Sequence, residues 1–174
     1  MPLTAEDIQR AFTALDAELA SRALKAELVV VGGAALVLLF GARASTKDVD
    51  AYFVRPTASL LREAASAVAE SLDLPVDWLN DGAKAYLVGV TTGKTLYESG
   101  SLTVKAASVP QLLAMKLAAW RDAIDRADAG LLLAQMQGSA ADVWTAVKSF
   151  VPPHSIDKAS YAFEDLWDLV HGHS

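Results

Sequence analysis

The longest uncharged stretch of the sequence, Leu28–Ala42, constrains the fold more than any other feature. Its 15 residues are too few for a membrane-spanning helix, which needs about 20. Gly32 and Gly33 interrupt it, and the charged residues Glu27 and Arg43 flank it. The stretch therefore predicts core structure in a globular protein.

The two halves of this stretch have different local patterns. Leu28–Val31 is a short, mostly β-branched run that predicts a buried strand ending at the glycine pair. The residues from Ala34 to about Phe40 predict a helix that follows at once. Gly41 is expected to end that helix in a left-handed conformation.

Composition excludes several classes of protein. A chain of 174 residues fits one compact domain, and its net charge of −6 argues against binding to duplex DNA. The absence of cysteine excludes disulfides, thiolate metal sites and a cysteine nucleophile. The first residues are acidic and predict no secretory leader. We expect a cytoplasmic protein that does not bind membranes.

The order of predicted elements indicates a mixed α/β (α+β) fold, with a small mixed β-sheet flanked by helices and a helical C-terminal half. Residues 1–107 contain the predicted strands, and residues 108–174 form the helical part of the same compact unit. The predicted elements are a helix capped by Thr4 that ends near Lys25, strands at 28–31, 47–54 and 74–79, a helix capped by Thr57, a hairpin around 99–101, two helices between Ser108 and about Gly138, and helices at 140–150 and 156–170.

The passage through Gly32 and Gly33 is a candidate anion site. A strand that enters a helix through glycines exposes backbone N–H groups at the helix N-terminus, where no Cβ blocks the approach of a phosphate. The alternative is an ordinary tight turn. The sequence has neither the glycine-lysine pattern of a P-loop nor the three-glycine spacing of a dinucleotide-binding fingerprint.

Two aspartates follow the glycines after about fifteen residues. Asp48 and Asp50 are two apart on a predicted strand, so their carboxylates share one face. Carboxylates that repel each other favour a cation between them, and Mg²⁺ prefers such oxygen ligands together with phosphates. The alternative is an exposed start of a strand.

Gly32-Gly33, the spacer and Asp48-Val49-Asp50 resemble the signature of the DNA polymerase β-like nucleotidyltransferase superfamily. The fuller string Arg43-x-Ser45-Thr46-x-Asp48-Val49-Asp50 is similar to a minimal bacterial branch that includes the AbiEii and MenT-type toxins of toxin–antitoxin systems. The resemblance runs roughly from residue 28 to residue 133, and identifies 1–107 as the catalytic core.

The resemblance implies transfer of a nucleoside monophosphate from an NTP to an acceptor, with pyrophosphate leaving. The implied acceptor is tRNA, a protein or a small molecule, and an antitoxin is the implied partner. Asp48 and Asp50 would hold one or two Mg²⁺ ions. The triphosphate would be held by Gly32, Gly33, Arg43 and Thr46.

Lys116 belongs to a second block that resembles the same branch, with Arg121, Asp125 and Asp128 after it. Apolar residues surround Lys116 on a predicted helix, so its amine must either extend to solvent or reach a partner. The resemblance implies a catalytic or triphosphate-binding role for Lys116 and a polar role for Asp128. The alternative for the three later residues is an ordinary helical salt bridge.

A third metal-binding carboxylate is less clear. The superfamily usually carries one on a neighbouring strand, and Asp77 is the best candidate, with Glu98 next. If neither reaches the metal, the chain is a slow enzyme or a nucleotide-binding module that keeps the fold without catalysis.

Overall fold

The computed structural model describes residues 2–41 and 43–172; Met1, Ala42, His173 and Ser174 lie outside the described part. The chain divides into two compact units. The first comprises Met1–Ala85 and Thr92–Ala107, and the second comprises Tyr86–Thr91 and Ser108–Ser174.

A five-stranded mixed sheet forms the centre of the first unit. Its strands, in chain order, are β2 (Ala26–Val31), β4 (Val49–Arg55), β5 (Leu79–Asn80), β6 (Thr95–Glu98) and β7 (Leu102–Ala106). Their order in the sheet is β5-β4-β2-β7-β6. Two short strands, β1 (Leu3–Thr4) and β3 (Ser45–Thr46), form a separate antiparallel pair. The predicted mixed α/β fold is confirmed, and it is consistent with a nucleotidyltransferase fold.

The two faces of the large sheet differ in polarity. Side chains directly opposite each other on paired strands share a face, so the registers assign every residue to one side. One face is apolar and buried, and the helices α1 (Ala5–Ser21) and α3 (Ala58–Leu72) contact its strands. The other face, called the polar face below, carries the partly exposed side chains of Asp50, Tyr52 and Lys105.

Local signals at the helix ends are confirmed in part. Thr4 and Asp7 form a reciprocal capping box at the start of α1. The helix ends at Ser21, however, and not near Lys25, because Ala23 adopts a left-handed conformation with φ of 54°. Thr57 precedes α3 as predicted, but its side chain makes no capping hydrogen bond.

The expected strand at 74–79 is wrong over most of its length. Only Leu79–Asn80 pairs in the sheet, as β5. Pro75 lacks the N–H that a ladder needs, and the carbonyl of Pro75 accepts a hydrogen bond from the Trp78 backbone N–H in a turn. The buried Trp78 ring donates from Nε1 to the carbonyl of Ala65 on α3 at 2.9 Å. The turn thus anchors to the helix instead of extending the sheet.

The second unit is helical, as predicted. Its helices are α4 (Val109–Ala119), α5 (Ala123–Leu133), α6 (Ala140–Lys148) and α7 (Ile156–His171). Ser108 caps α4 by accepting from the N–H of Gln111. The Gln111 side chain does not bond back to the Ser108 N–H in a capping box, because its Oε1 accepts from the hydroxyl of Thr91 at 2.6 Å and from the Thr91 N–H at 3.0 Å. This network attaches Tyr86–Thr91 to the second unit.

A buried charged cluster joins α4 to α5. The ammonium of Lys116 lies 3.2 Å from an Asp125 carboxylate oxygen and 2.8 Å from an Asp128 oxygen. Arg121 adds the expected helical salt bridge to Asp125, with Nε at 3.1 Å. Lys116 therefore reaches carboxylate partners within its own unit and does not extend to solvent.

The cluster makes the unit sensitive to acid. Desolvation alone would raise the pKa of Asp125, but hydrogen bonds from Arg121 and Lys116 outweigh it and lower the pKa from 3.8 to about 2. Because the folded-state pKa lies below the unfolded one, the stabilisation is complete above the unfolded pKa. It is lost as the pH falls from about 4 towards 2.

Within the described residues, no helix has both the length and the apolar character needed to cross a membrane.

Replacing Lys116 with methionine should lower the free energy of unfolding by roughly 3–5 kcal/mol, because it removes the ammonium group that both buried carboxylates, Asp125 and Asp128, contact. Urea denaturation at neutral pH measures the loss. The control is Lys148→Met on the exposed end of α6, which should change stability by less than about 0.5 kcal/mol. A Lys116→Met protein as stable as the control would contradict the assignment.

Candidate functional site

The junction between β2 and α2 (Gly32–Phe40) is the first element of the site. Gly32 has a φ of +65°, which side-chain-bearing residues rarely adopt, so glycine is required for the turn from strand to helix. No side chain caps the start of α2, and the first N–H groups of a helix have no partner within it. Gly41 ends the helix with a φ of 62°, as predicted. The junction thus has the chemistry of an anion site.

Strand pairing brings Asp50 to this turn. β2 and β4 are antiparallel, and Val31, the last residue of β2, pairs with Asp50. A Cβ at Gly32 would lie 3.5 Å from the Asp50 Oδ2, so the carboxylate lies directly beside the glycine. A carboxylate and a helix N-terminus therefore meet at one place.

Gly33 lies against two further residues of the predicted site. A Cβ at Gly33 would lie 2.7 Å from both the Arg43 Nη1 and the Thr46 Oγ1. Thr46 is buried on β3, and its hydroxyl donates to the carbonyl of Asp48 at 3.3 Å. The absence of a side chain at Gly33 leaves space that the guanidinium and the hydroxyl approach.

Asp48 and Asp50 lie in an environment that disfavours their charge. Burial raises the pKa of Asp48, and the negative charge of Asp77 raises it further, while Lys47 and a hydrogen bond from Asn80 lower it. Burial and the charge of Asp48 raise the pKa of Asp50, and a hydrogen bond from Asn80 lowers it. A cation between the two carboxylates would relieve both the repulsion and the desolvation.

The predicted third carboxylate does not complete a cluster. Across residues 2–41 and 43–172, no group of three or more acidic or histidine side chains has the geometry to hold a metal ion. Asp77 is exposed, and its negative charge is near enough to raise the pKa of Asp48. Glu98 lies on β6, three strands away from β4 and so roughly 14 Å distant.

Asn80 is a site residue that the sequence reasoning missed. Asn80 lies on β5, the strand next to β4, and pairs there with Asp50. Its Oδ1 accepts from the Gly82 N–H at 3.0 Å, which fixes the orientation of the amide. The only signal in the sequence was its position before an Asp-Gly turn, which does not reveal the β4–β5 register.

The structure brings together most, but not all, of the predicted site residues. Those that lie in the first unit around the β2–α2 turn are Gly32, Gly33, Arg43, Thr46, Asp48 and Asp50. Lys116 and Asp128 belong to the buried charged cluster of the second unit. Their roles in catalysis stay predictions.

A family model described as "Nucleotidyltransferase of unknown function (DUF6036)" matches residues 8–89. Over these residues the chain is similar to a nucleotidyltransferase. The match spans just under half of the chain and includes the glycine turn, both aspartates and Asn80. It supports the superfamily and a transferase in general. The AbiEii and MenT-type branch stays a prediction. No curated protein matches the sequence.

Replacing Gly33 with alanine should weaken NTP binding at least tenfold, because the added Cβ displaces Arg43 and Thr46 from the turn. Calorimetric titration of a non-hydrolysable NTP with Mg²⁺ measures the change. The control is Gly130→Ala on α5, where a Cβ meets nothing within 4 Å and helix propensity improves. Equal affinity of Gly33→Ala and wild type would contradict a phosphate site at this turn.

Replacing Asp50 with asparagine should stabilise the fold at neutral pH, because it removes a charge that burial and Asp48 disfavour. A raised pKa means that the folded state prefers the protonated carboxyl. The gain should therefore be largest at neutral pH and shrink as acid protonates the wild-type side chain. Thermal denaturation across this pH range tests it, with the exposed Asp165→Asn as control. A lower melting temperature for Asp50→Asn at neutral pH would refute the electrostatic assignment.

Proposed function

We propose that this protein is an Mg²⁺-dependent nucleotidyltransferase that transfers a nucleoside monophosphate from an NTP to an acceptor. The observation that carries the proposal is the contact between Asp50 and Gly32, which unites a metal-binding carboxylate with a phosphate-binding turn. Neither feature alone would distinguish this function from an ordinary tight turn or an exposed strand start.

The donor set fits Mg²⁺. Two hard carboxylate oxygens come from Asp48 and Asp50, and Mg²⁺ is usually bound by one or two carboxylates together with substrate phosphates and water. The raised pKa values of Asp48 and Asp50 reflect charge that a cation would balance. When bound, Mg²⁺ supplies charge neutralisation at the transferring phosphorus and the leaving pyrophosphate.

The protein's own groups would bind and orient the triphosphate. The N–H groups at the start of α2 donate to phosphate oxygens, and Gly32 and Gly33 allow the close approach. The guanidinium of Arg43 provides a planar, permanently charged donor beside Gly33. Such fixed donors stabilise the charge on a departing pyrophosphate without reorganising during the reaction.

The acceptor and the biological role come from the resemblance of the Arg43–Asp50 string to the AbiEii and MenT-type branch. We propose tRNA, a protein or a small molecule as acceptor, and a toxin–antitoxin role with an antitoxin partner. The catalytic or triphosphate-binding role of Lys116 and the polar role of Asp128 come from the same resemblance and stay predictions; the Lys116 amine already contacts two carboxylates within the second unit.

A second candidate is a nucleotide-binding module with little or no turnover. It is favoured by one observation: within the described residues, only two carboxylates lie where superfamily members usually have three. Asn80 takes the neighbouring strand position with a neutral amide.

Incubation with each NTP, labelled at the α-phosphorus, tests the two candidates in the presence of Mg²⁺ and of total tRNA or cell lysate. We expect wild type to transfer label, and the double variant Asp48→Ala/Asp50→Ala to lose at least a hundredfold, as removal of key electrostatic groups does elsewhere. The exposed double variant Glu63→Ala/Glu70→Ala on α3 is the charge-matched control and should retain full activity.

Label transfer that is equal in wild type and in the double variant would refute the enzyme proposal. Tight NTP binding without transfer or pyrophosphate release would favour the binding module instead.

A further inference from the structure

Lys105 lies on the polar face of the sheet, close to the proposed site but outside its predicted residues. It pairs with Val29 on β2 in parallel register. Val29 in turn pairs with Tyr52 on β4, and Val31 pairs with Asp50. Lys105 therefore shares its face with Asp50 and lies on the opposite side of β2.

The surroundings of Lys105 do not account for its charge. Its direct neighbours across the sheet are Val29 on one side and Thr95 on the other, and neither is acidic. In the part of the chain that the structure describes, Lys105 forms no ion pair and no side-chain hydrogen bond. Lysine is disfavoured in strands, and this one is partly buried on β7, which has a neighbouring strand on each side.

The position of Lys105 in the sheet brings its ammonium group within reach of an anion at the glycine turn. The turn continues from the end of β2, which lies between β4 and β7. β4 and β7 are two strand spacings apart, about 10 Å. Lys105 is level with Val29, two residues or about 7 Å before the level of Val31 and Asp50. The flexible four-carbon stem of lysine is long enough to span that offset towards the turn. An anion at the turn would have Asp50 on one side and Lys105 on the other.

We propose that Lys105 binds the polyphosphate of the NTP. This inference rests on the proposed function, because it requires an NTP at the glycine turn. An Mg²⁺-bound triphosphate keeps net negative charge, and an ammonium group binds phosphate oxygens as a mobile point charge. Lys105 has this charge unpaired among the described residues, whereas Lys116 is held by two carboxylates in the second unit.

Calorimetric titration of wild type, Lys105→Met and Lys105→Arg tests the proposal. The titrants are Mg²⁺ alone and Mg²⁺ with the NMP, the NDP and a non-hydrolysable NTP of the same base. Lys25→Met, at the opposite end of β2, is the control. We expect Lys105→Met to bind the NTP about tenfold more weakly, the size of one charged phosphate contact.

The pattern across ligands separates phosphate binding from a structural role. Lys105→Met should bind Mg²⁺ and the NMP as wild type does, and Lys105→Arg and Lys25→Met should bind the NTP with nearly wild-type affinity. Wild-type NTP affinity in Lys105→Met, or equal weakening for the NMP and the NTP, would overturn the assignment of Lys105 alone. Absence of NTP binding by wild type would overturn the proposed function together with it.

Discussion

The antiparallel pairing of β2 with β4 is the constraint on which the candidate site depends. Because Val31 and Asp50 are directly opposite, the second aspartate lies beside the first glycine of the turn. A shift of one residue in this register would place the carboxylate on the apolar face among buried side chains. Val49 and Ala51 of β4 are buried while Asp50 between them is only partly buried, and this alternation opposes such a shift, so core packing also fixes the geometry of the site.

The same arrangement carries an electrostatic cost. Asp48 and Asp50 are partly buried and close to each other, and Asp48 is also close to Asp77; burial is the largest cause of the raised pKa values of Asp48 and Asp50. Asn80 offsets part of this cost, because its amide donates hydrogen bonds to the carboxylates of Asp48 and Asp50 and adds no negative charge of its own. Two partly buried carboxylates whose charge the fold disfavours are consistent with the proposed cation site.

In the charged cluster of the second unit, neighbouring cations outweigh the effect of burial on the acids. Asp125 and Asp128 are almost completely buried, yet Lys116 and Arg121 neutralise them, and the pKa of Asp125 is lowered rather than raised. The motif that includes these residues is explained without a ligand by the packing of α4 against α5. The charges of Asp125 and Asp128 are thus balanced by cations within the fold, whereas the pKa values of Asp48 and Asp50 are raised.

Much of the fold follows from local sequence signals. The Thr4 capping box, the left-handed Gly41 and the hairpin before β7 were predictable because each depends on residues a few positions apart. The end of α1 and the turn before β5 were not, since a left-handed alanine and the hydrogen bond of the Trp78 ring depend on tertiary packing.

In the candidate site, the glycine turn and the pair Asp48 and Asp50 were visible in sequence. The strand predicted at 47–54 begins at Val49, so Asp48 lies just before β4 and not on it. The roles of Asn80 and Lys105 depend on strand order and register, which single-sequence patterns do not specify.

The central claim is that the two aspartates and the glycine turn form one metal-polyphosphate site. A crystal structure of the protein with Mn²⁺ and a non-hydrolysable NTP, phased to locate manganese by its anomalous signal, tests this most directly. We expect manganese bound by Asp48 and Asp50, with phosphate oxygens accepting hydrogen bonds from the first N–H groups of α2. Manganese and phosphates bound elsewhere, with the Asp50 carboxylate and the Gly32 turn free of both, would contradict it.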